Sequence, residues 1–183
     1  MPPTARVLIT QEQLARRVRE LGAQIARDYA DEKPVLVGVL KGAVVFLADL
    51  VRAIAVPLTM DVMAVSSYGT GTTSSGVVRI TADLSLSIEE RHVILVEDII
   101  DSGRTVDYLR RNLETRHPKR VRICALLDKA ERREVTVAID YCGFTIPNVF
   151  VVGYGMDHGG LYRNLPEIVA VESPENLCEI SVL

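Results

Sequence analysis

Short, nearly unbroken apolar runs recur along this chain, and they constrain its fold more than any other feature. Val35-Leu36-Val37-Gly38-Val39, Val93-Ile94-Leu95-Val96, Val121 to Leu127 and Val149 to Val152 are too short for buried helices. They are rich in β-branched residues and lack polar alternation, which suits strands covered on both faces. Helical patterns lie between them. Thr10 and Gln13 form a capping-box pair ahead of Leu14, Val18, Leu21 and Ile25, with Arg16, Arg17, Arg19, Glu20 and Arg27 on the other face. That helix is expected to end before Lys33-Pro34, and further helices are expected over 42–54 and 105–115. Strands alternating with helices predict an α/β fold with a mostly parallel central sheet flanked by helices. Ligands of such sheets bind at the carboxyl ends of the strands.

Additional strands are expected over 58–65, 77–81 and 135–139. From about 66 to 77 the chain turns to Ser, Thr and Gly with only Tyr68 bulky, so it predicts a flexible loop.

The 183 residues predict a single domain spanning 1–183, and 48% apolar with 25% charged residues is a globular composition. A net charge of -3 argues against nucleic acid as the main partner. Cys124, Cys142 and Cys178 are odd in number and form no C-x-x-C pair, which suggests neither a disulfide framework nor a zinc site. A cytoplasmic location is expected. Met1 to Thr10 has no basic segment followed by an apolar run, so no secretory leader is expected. No apolar run approaches the ~18 residues of a membrane span.

The chemistry concentrates after the strand at Val93. Glu97 and Asp98 follow the apolar run, then Ile99-Ile100, a third carboxylate at Asp101, and Ser102-Gly103-Arg104-Thr105 leading into a helix. A small, hydroxyl-bearing turn at a helix start is an anion cradle, because its backbone amides are unpaired and the helix dipole favours negative charge. No G-x-x-x-x-G-K-[ST] loop occurs. Acids beside a phosphate would repel it unless they face ribose hydroxyls or a cation such as Mg²⁺. A sugar phosphate satisfies both halves of the run.

The segment resembles the phosphoribosyl-pyrophosphate (PRPP) motif of the type I phosphoribosyltransferases. With the blocks around it, from about Val35 to Ile168, the chain is similar to the bacterial hypoxanthine-guanine branch. That resemblance implies a type I phosphoribosyltransferase fold with a small hood and a flexible catalytic loop. It implies a Mg²⁺-dependent pentosyltransferase of purine salvage that takes PRPP and a 6-oxopurine base to IMP or GMP and pyrophosphate. A homodimer or homotetramer is expected, without nucleic acid or membrane partners.

Residue by residue, the resemblance places Glu97 and Asp98 on the ribose hydroxyls and Ser102, Gly103, Arg104 and Thr105 around the 5′-phosphate. Asp101 becomes the general base at purine N7. Leu40-Lys41-Gly42 resembles the pyrophosphate loop, in which a cis peptide precedes the lysine. Arg133 and Arg163 are further pyrophosphate residues. Lys129 is implied at the C6 oxygen, Phe150 against the purine face and the Val151 main chain at its edge. Ser67 and Tyr68 fall in the flexible loop. Glu97, Asp98 and Asp157 are the implied metal ligands. His158 stands where relatives often carry tyrosine, and Arg104 where some carry lysine.

His92, His117 and His158 have no metal spacing and are read as surface or loop residues. The cations Arg104, Arg110, Arg111, Arg116, Lys119, Arg120 and Arg122 are interspersed with acids, which favours a solvated or subunit-contact face over an RNA surface. An RNA-binding regulator of the same fold is the rival from another class, and a xanthine-preferring enzyme the nearer alternative.

Overall fold

The computed structural model describes residues 5–67 and 78–171. Its elements in chain order are β1 (Ala5–Ile9), α1 (Gln11–Asp28), β2 (Val35–Leu40), α2 (Val44–Ala53), β3 (Thr59–Ser67), β4 (Val78–Ala82), β5 (His92–Ile100), α3 (Arg104–Glu114), β6 (Arg120–Asp128), β7 (Tyr141–Thr145), β8 (Phe150–Val152) and β9 (Ile168–Val171). A 3₁₀ turn, Ala130–Arg132, follows β6. The expected loop falls on residues outside those described, except Ser66 and Ser67, whose backbone closes β3.

Six strands form the central sheet in the order β4-β3-β2-β5-β6-β7. All pair in parallel except β3 with β4. The unbroken apolar runs are explained by two cores, one on each face. Leu36, Ile94, Val96, Cys124 and Leu126 pack with Leu14, Leu21, Phe46 and Leu50 of α1 and α2. Their neighbours Val35, Val37, Val93, Leu95, Ile123 and Ala125 pack with Val106, Leu109 and Leu113 of α3. A strand buried on both sides gains from apolar residues at every position.

Helix α1 starts as its sequence predicts: the Gln13 backbone N–H donates to Thr10 Oγ1 (3.3 Å) and the Thr10 N–H to Gln13 Oε1 (2.8 Å). A separate three-stranded sheet, β1-β9-β8, is antiparallel throughout. It joins the two ends of the described chain and corresponds to the expected hood.

Three expectations are corrected. Glu97 and Asp98 do not follow β5 but lie within it, since the strand runs on to Ile100. Residues 135–139 form no strand; the neighbour of β6 is β7, paired from Cys124↔Tyr141 to Asp128↔Thr145. Val137 and Ile139 instead cover the α3-side core from an irregular segment. His92 is a half-buried strand residue, not an open surface or loop group: it opens β5 and stacks edge-on against Tyr29, with 24% of its side chain exposed.

Most of the cations on the basic surface are paired with acids. Arg110 and Arg111 pair with Asp107, Arg116 with Asp83, and Arg122 with Asp28. No helix among the described residues is long and apolar enough to cross a membrane.

Candidate active site

The carboxyl ends of adjacent parallel strands β2, β5 and β6 deliver Lys41, Asp101 and Lys129 to one rim. A cavity of about 380 Å³ opens there. Lys41 and Gly42 line it from the end of β2, Asp98, Ile99 and Asp101 from β5, and Lys129 from β6. The hood side contributes Phe150 and Val151 of β8 and Met156, Asp157 and Arg163 beyond it. The peptide bond between Leu40 and Lys41 is cis, as the resemblance implied.

A second, smaller cavity of about 90 Å³ lies beside it, lined by Glu97, Asp101, Ser102, Gly103, Thr105 and neighbouring apolar residues. Gly103 caps α3 in the left-handed region at φ 86°. A Cβ there would lie 2.7 Å from the Val135 carbonyl oxygen, so both conformation and space require glycine. The turn thus places the start of α3, Gly103, Thr105 and Val106, at the cavity wall, and a helix start is where an anion is favoured. The Arg104 side chain turns away to pair with Glu134 at 2.6 Å, and its N–H donates to Ser102 Oγ at 3.4 Å.

Strand alternation separates the two adjacent acids. Glu97 faces the small cavity on the α3 side, while Asp98 faces the large one beside Gly42. Burial, reinforced by the neighbouring Asp98 charge, pushes the Glu97 carboxyl well above its ordinary value. Burial also pushes Asp98 up to about 6, although its side chain accepts the Ile99 N–H at 2.8 Å and Arg163 pulls the other way. In both, desolvation of the charged form is the leading cause.

Asp157 is held between the Arg163 guanidinium (Nη2 to Oδ1, 2.6 Å) and the Gly160 N–H (2.7 Å). Arg163 also donates to the Gly155 carbonyl at 2.6 Å. Lys129 is buried, and that burial lowers its pKa against the upward pull of Asp101. Phe150 meets the His158 ring edge-on with centroids 5.4 Å apart.

Two site expectations need correction. Glu97, Asp98 and Asp157 do not come together as one site: Glu97 sits on the opposite face of β5 from Asp98, and no group of three or more His, Cys, Asp or Glu that could hold a metal occurs among the described residues. Asp98 and Asp157 share the large cavity with Asp101, the expected general base. Two carboxylates still fit Mg²⁺, which binds few protein oxygens and completes its shell from substrate and water. Arg133 does not reach the large cavity; it pairs with Asp128 and packs beside Gly103. Ser67's side chain and Tyr68 lie outside the described residues.

Sequence reasoning missed Ile99 and Met156 as cavity walls, since nothing distinguishes them from core residues. It also missed Arg132, whose Nε donates to Asp101 Oδ1 at 3.1 Å. The run of charges around Arg132 gave no hint of one selected partner.

A mostly parallel sheet whose acidic strand runs into a glycine-turned helix start, opposite the Lys41-Gly42 loop, is the arrangement of the phosphoribosyl transferase class. The chain belongs to that family: the model of the phosphoribosyl transferase domain matches residues 8–158. Within it, the similarity is to hypoxanthine-guanine members. The chain is 51% identical over 168 residues to the hypoxanthine-guanine phosphoribosyltransferase of Mycobacterium avium, covering 88% of this chain and 83% of that protein. A crystal structure of a hypoxanthine-guanine phosphoribosyltransferase from Bacillus anthracis superposes with a TM-score of 0.87 at 46% identity, covering 91% of this chain and 98% of that one. The bifunctional protein TilS/HprT of Listeria innocua is 50% identical over 163 residues, and the chain spans 25% of its length.

Proposed function

We propose that the chain transfers the 5-phosphoribosyl group from PRPP to N9 of hypoxanthine or guanine, giving IMP or GMP and pyrophosphate. The observation that carries this reading is Asp101 standing where two cavities meet. It lines both the small anion cradle and the larger cavity that holds Lys129, Phe150 and Val151. One carboxylate therefore reaches a base and a ribose phosphate bound on either side of it.

In this reading the 5′-phosphate lies on the amides of Ser102 to Thr105, and Glu97 and Asp98 engage the ribose hydroxyls from opposite faces of the strand. The base lies against Phe150 with its edge on the Val151 main chain. Lys129 donates to the C6 oxygen, which an adenine amine cannot accept, so the pair selects 6-oxopurines. Lys41 and Arg163 stabilise the negative charge that grows on pyrophosphate as the C1′–O bond lengthens toward an oxocarbenium-like state. Asp101 accepts the N7 proton while N9 attacks C1′. Asp98 and Asp157 would hold Mg²⁺, which when bound neutralises the charge of PRPP oxygens.

Product formation from hypoxanthine, guanine, xanthine, adenine and uracil, with and without Mg²⁺, tests the proposal. Mg²⁺-dependent IMP and GMP formation with adenine and uracil inert supports it. Turnover of uracil or adenine at rates equal to hypoxanthine would sink it.

A further inference from the structure

Arg132 lies in the short 3₁₀ turn after β6, where a charged residue would ordinarily be a solvated surface group. Its surroundings make it something more specific. The backbone of its segment is fastened to the Asp101 loop on both sides. The Lys129 N–H donates to the Ile100 carbonyl at 3.0 Å, and the Glu134 and Val135 N–H groups donate to the Ser102 carbonyl at 2.9 and 3.1 Å. Residues 100 and 102 flank Asp101, while 129 and 134 flank Arg132. The two side chains meet between the fastenings through Arg132 Nε and Asp101 Oδ1. The contact engages Asp101 Oδ1, and Asp101 at the same time lines both cavities.

We infer that Arg132 is a positioning residue for Asp101: it fixes one carboxylate oxygen so that the other is presented to purine N7. This rests on the proposed role of Asp101 as proton acceptor. The arrangement limits rotation of a half-exposed carboxylate, which would otherwise sample orientations useless for proton transfer.

A double-mutant cycle tests the inference, with kcat and the KM for PRPP measured at saturating hypoxanthine and Mg²⁺. Arg132→Gln is expected to lower kcat about fivefold, the scale of one half-exposed ion pair, while leaving the KM for PRPP unchanged. Arg132→Lys is expected to recover at least half of the loss. In an Asp101→Ala background, Arg132→Gln is expected to cost nothing further. Equal losses in both backgrounds, or a loss confined to the KM for PRPP, would overturn the positioning role. Wild-type turnover by Asp101→Ala alone would instead overturn the acceptor role on which it rests. Melting temperatures of all variants separate these outcomes from loss of fold.

Discussion

A Cβ built on Gly42 would overlap Oδ2 of Asp98, so the Lys41-Gly42 loop and the acidic strand are packed in contact at the wall of the large cavity. Residue 42 must be glycine for Asp98 to keep its place. Gly42→Ala is expected to push the Asp98 carboxylate aside and lower kcat/KM for PRPP by ~10²-fold, the cost of a misplaced catalytic group. Circular dichroism should show an unchanged fold. Steady-state kinetics with wild-type values would refute the contact.

Asp98 also predicts a pH dependence of stability. Its carboxyl is pushed up to about 6 in the folded protein from an ordinary value of 3.8. The folded state thus binds a proton there that the unfolded chain releases at lower pH. This group's contribution to stability therefore falls as pH rises through the window between those values, and is largest below it. Without ligands, Asp98→Asn is expected to raise the melting temperature by ~2–4 °C at pH 7 and to leave it unchanged near pH 3.5. Mg²⁺ with pyrophosphate is expected to stabilise the wild type more at pH 7.5 than at pH 5, because the metal requires the charged form. Calorimetry across pH checks both; a pH-independent difference between variant and wild type would contradict the assignment.

Much of this site is legible from local sequence because its parts are short and contiguous. The run from Val93 to Thr105, Lys41-Gly42 and the stretch from Phe150 to Asp157 each carry their chemistry on neighbouring residues. What was not legible depends on distant pairing. β1 and β9 pair with each other, Ala5↔Val171 to Ile9↔Ile168, across nearly the whole chain, so neither segment announces its partner. Val135-Thr136-Val137-Ala138-Ile139 alternates like a strand, yet the Val135 N–H is committed to Ser102 and the edge of β6 is already taken by β7. The same long-range logic hid the Arg132–Asp101 pair. Opposite facing of Glu97 and Asp98 follows from strand period alone, but only once β5 is known to run through them.

Lys129 gives the specificity prediction. Lys129→Ala is expected to lower kcat/KM for hypoxanthine by ~10²-fold while changing the rate with adenine less than ~threefold, because only the 6-oxopurine loses a hydrogen bond. The ratio of the two rates, measured with purified variant at fixed PRPP, is the readout. An unchanged ratio would remove Lys129 from purine selection.

Asp101 is the carboxylate shared by both cavities, and one comparison tests its proposed role as base most directly. Asp101→Asn should keep the PRPP dissociation constant within ~twofold of wild type, measured by calorimetry with Mg²⁺, because the cradle of Ser102 to Thr105 is untouched. Its kcat for IMP formation should fall by ~10²–10⁴-fold, the usual contribution of a positioned general base. Turnover at the wild-type rate with PRPP binding intact would contradict the account.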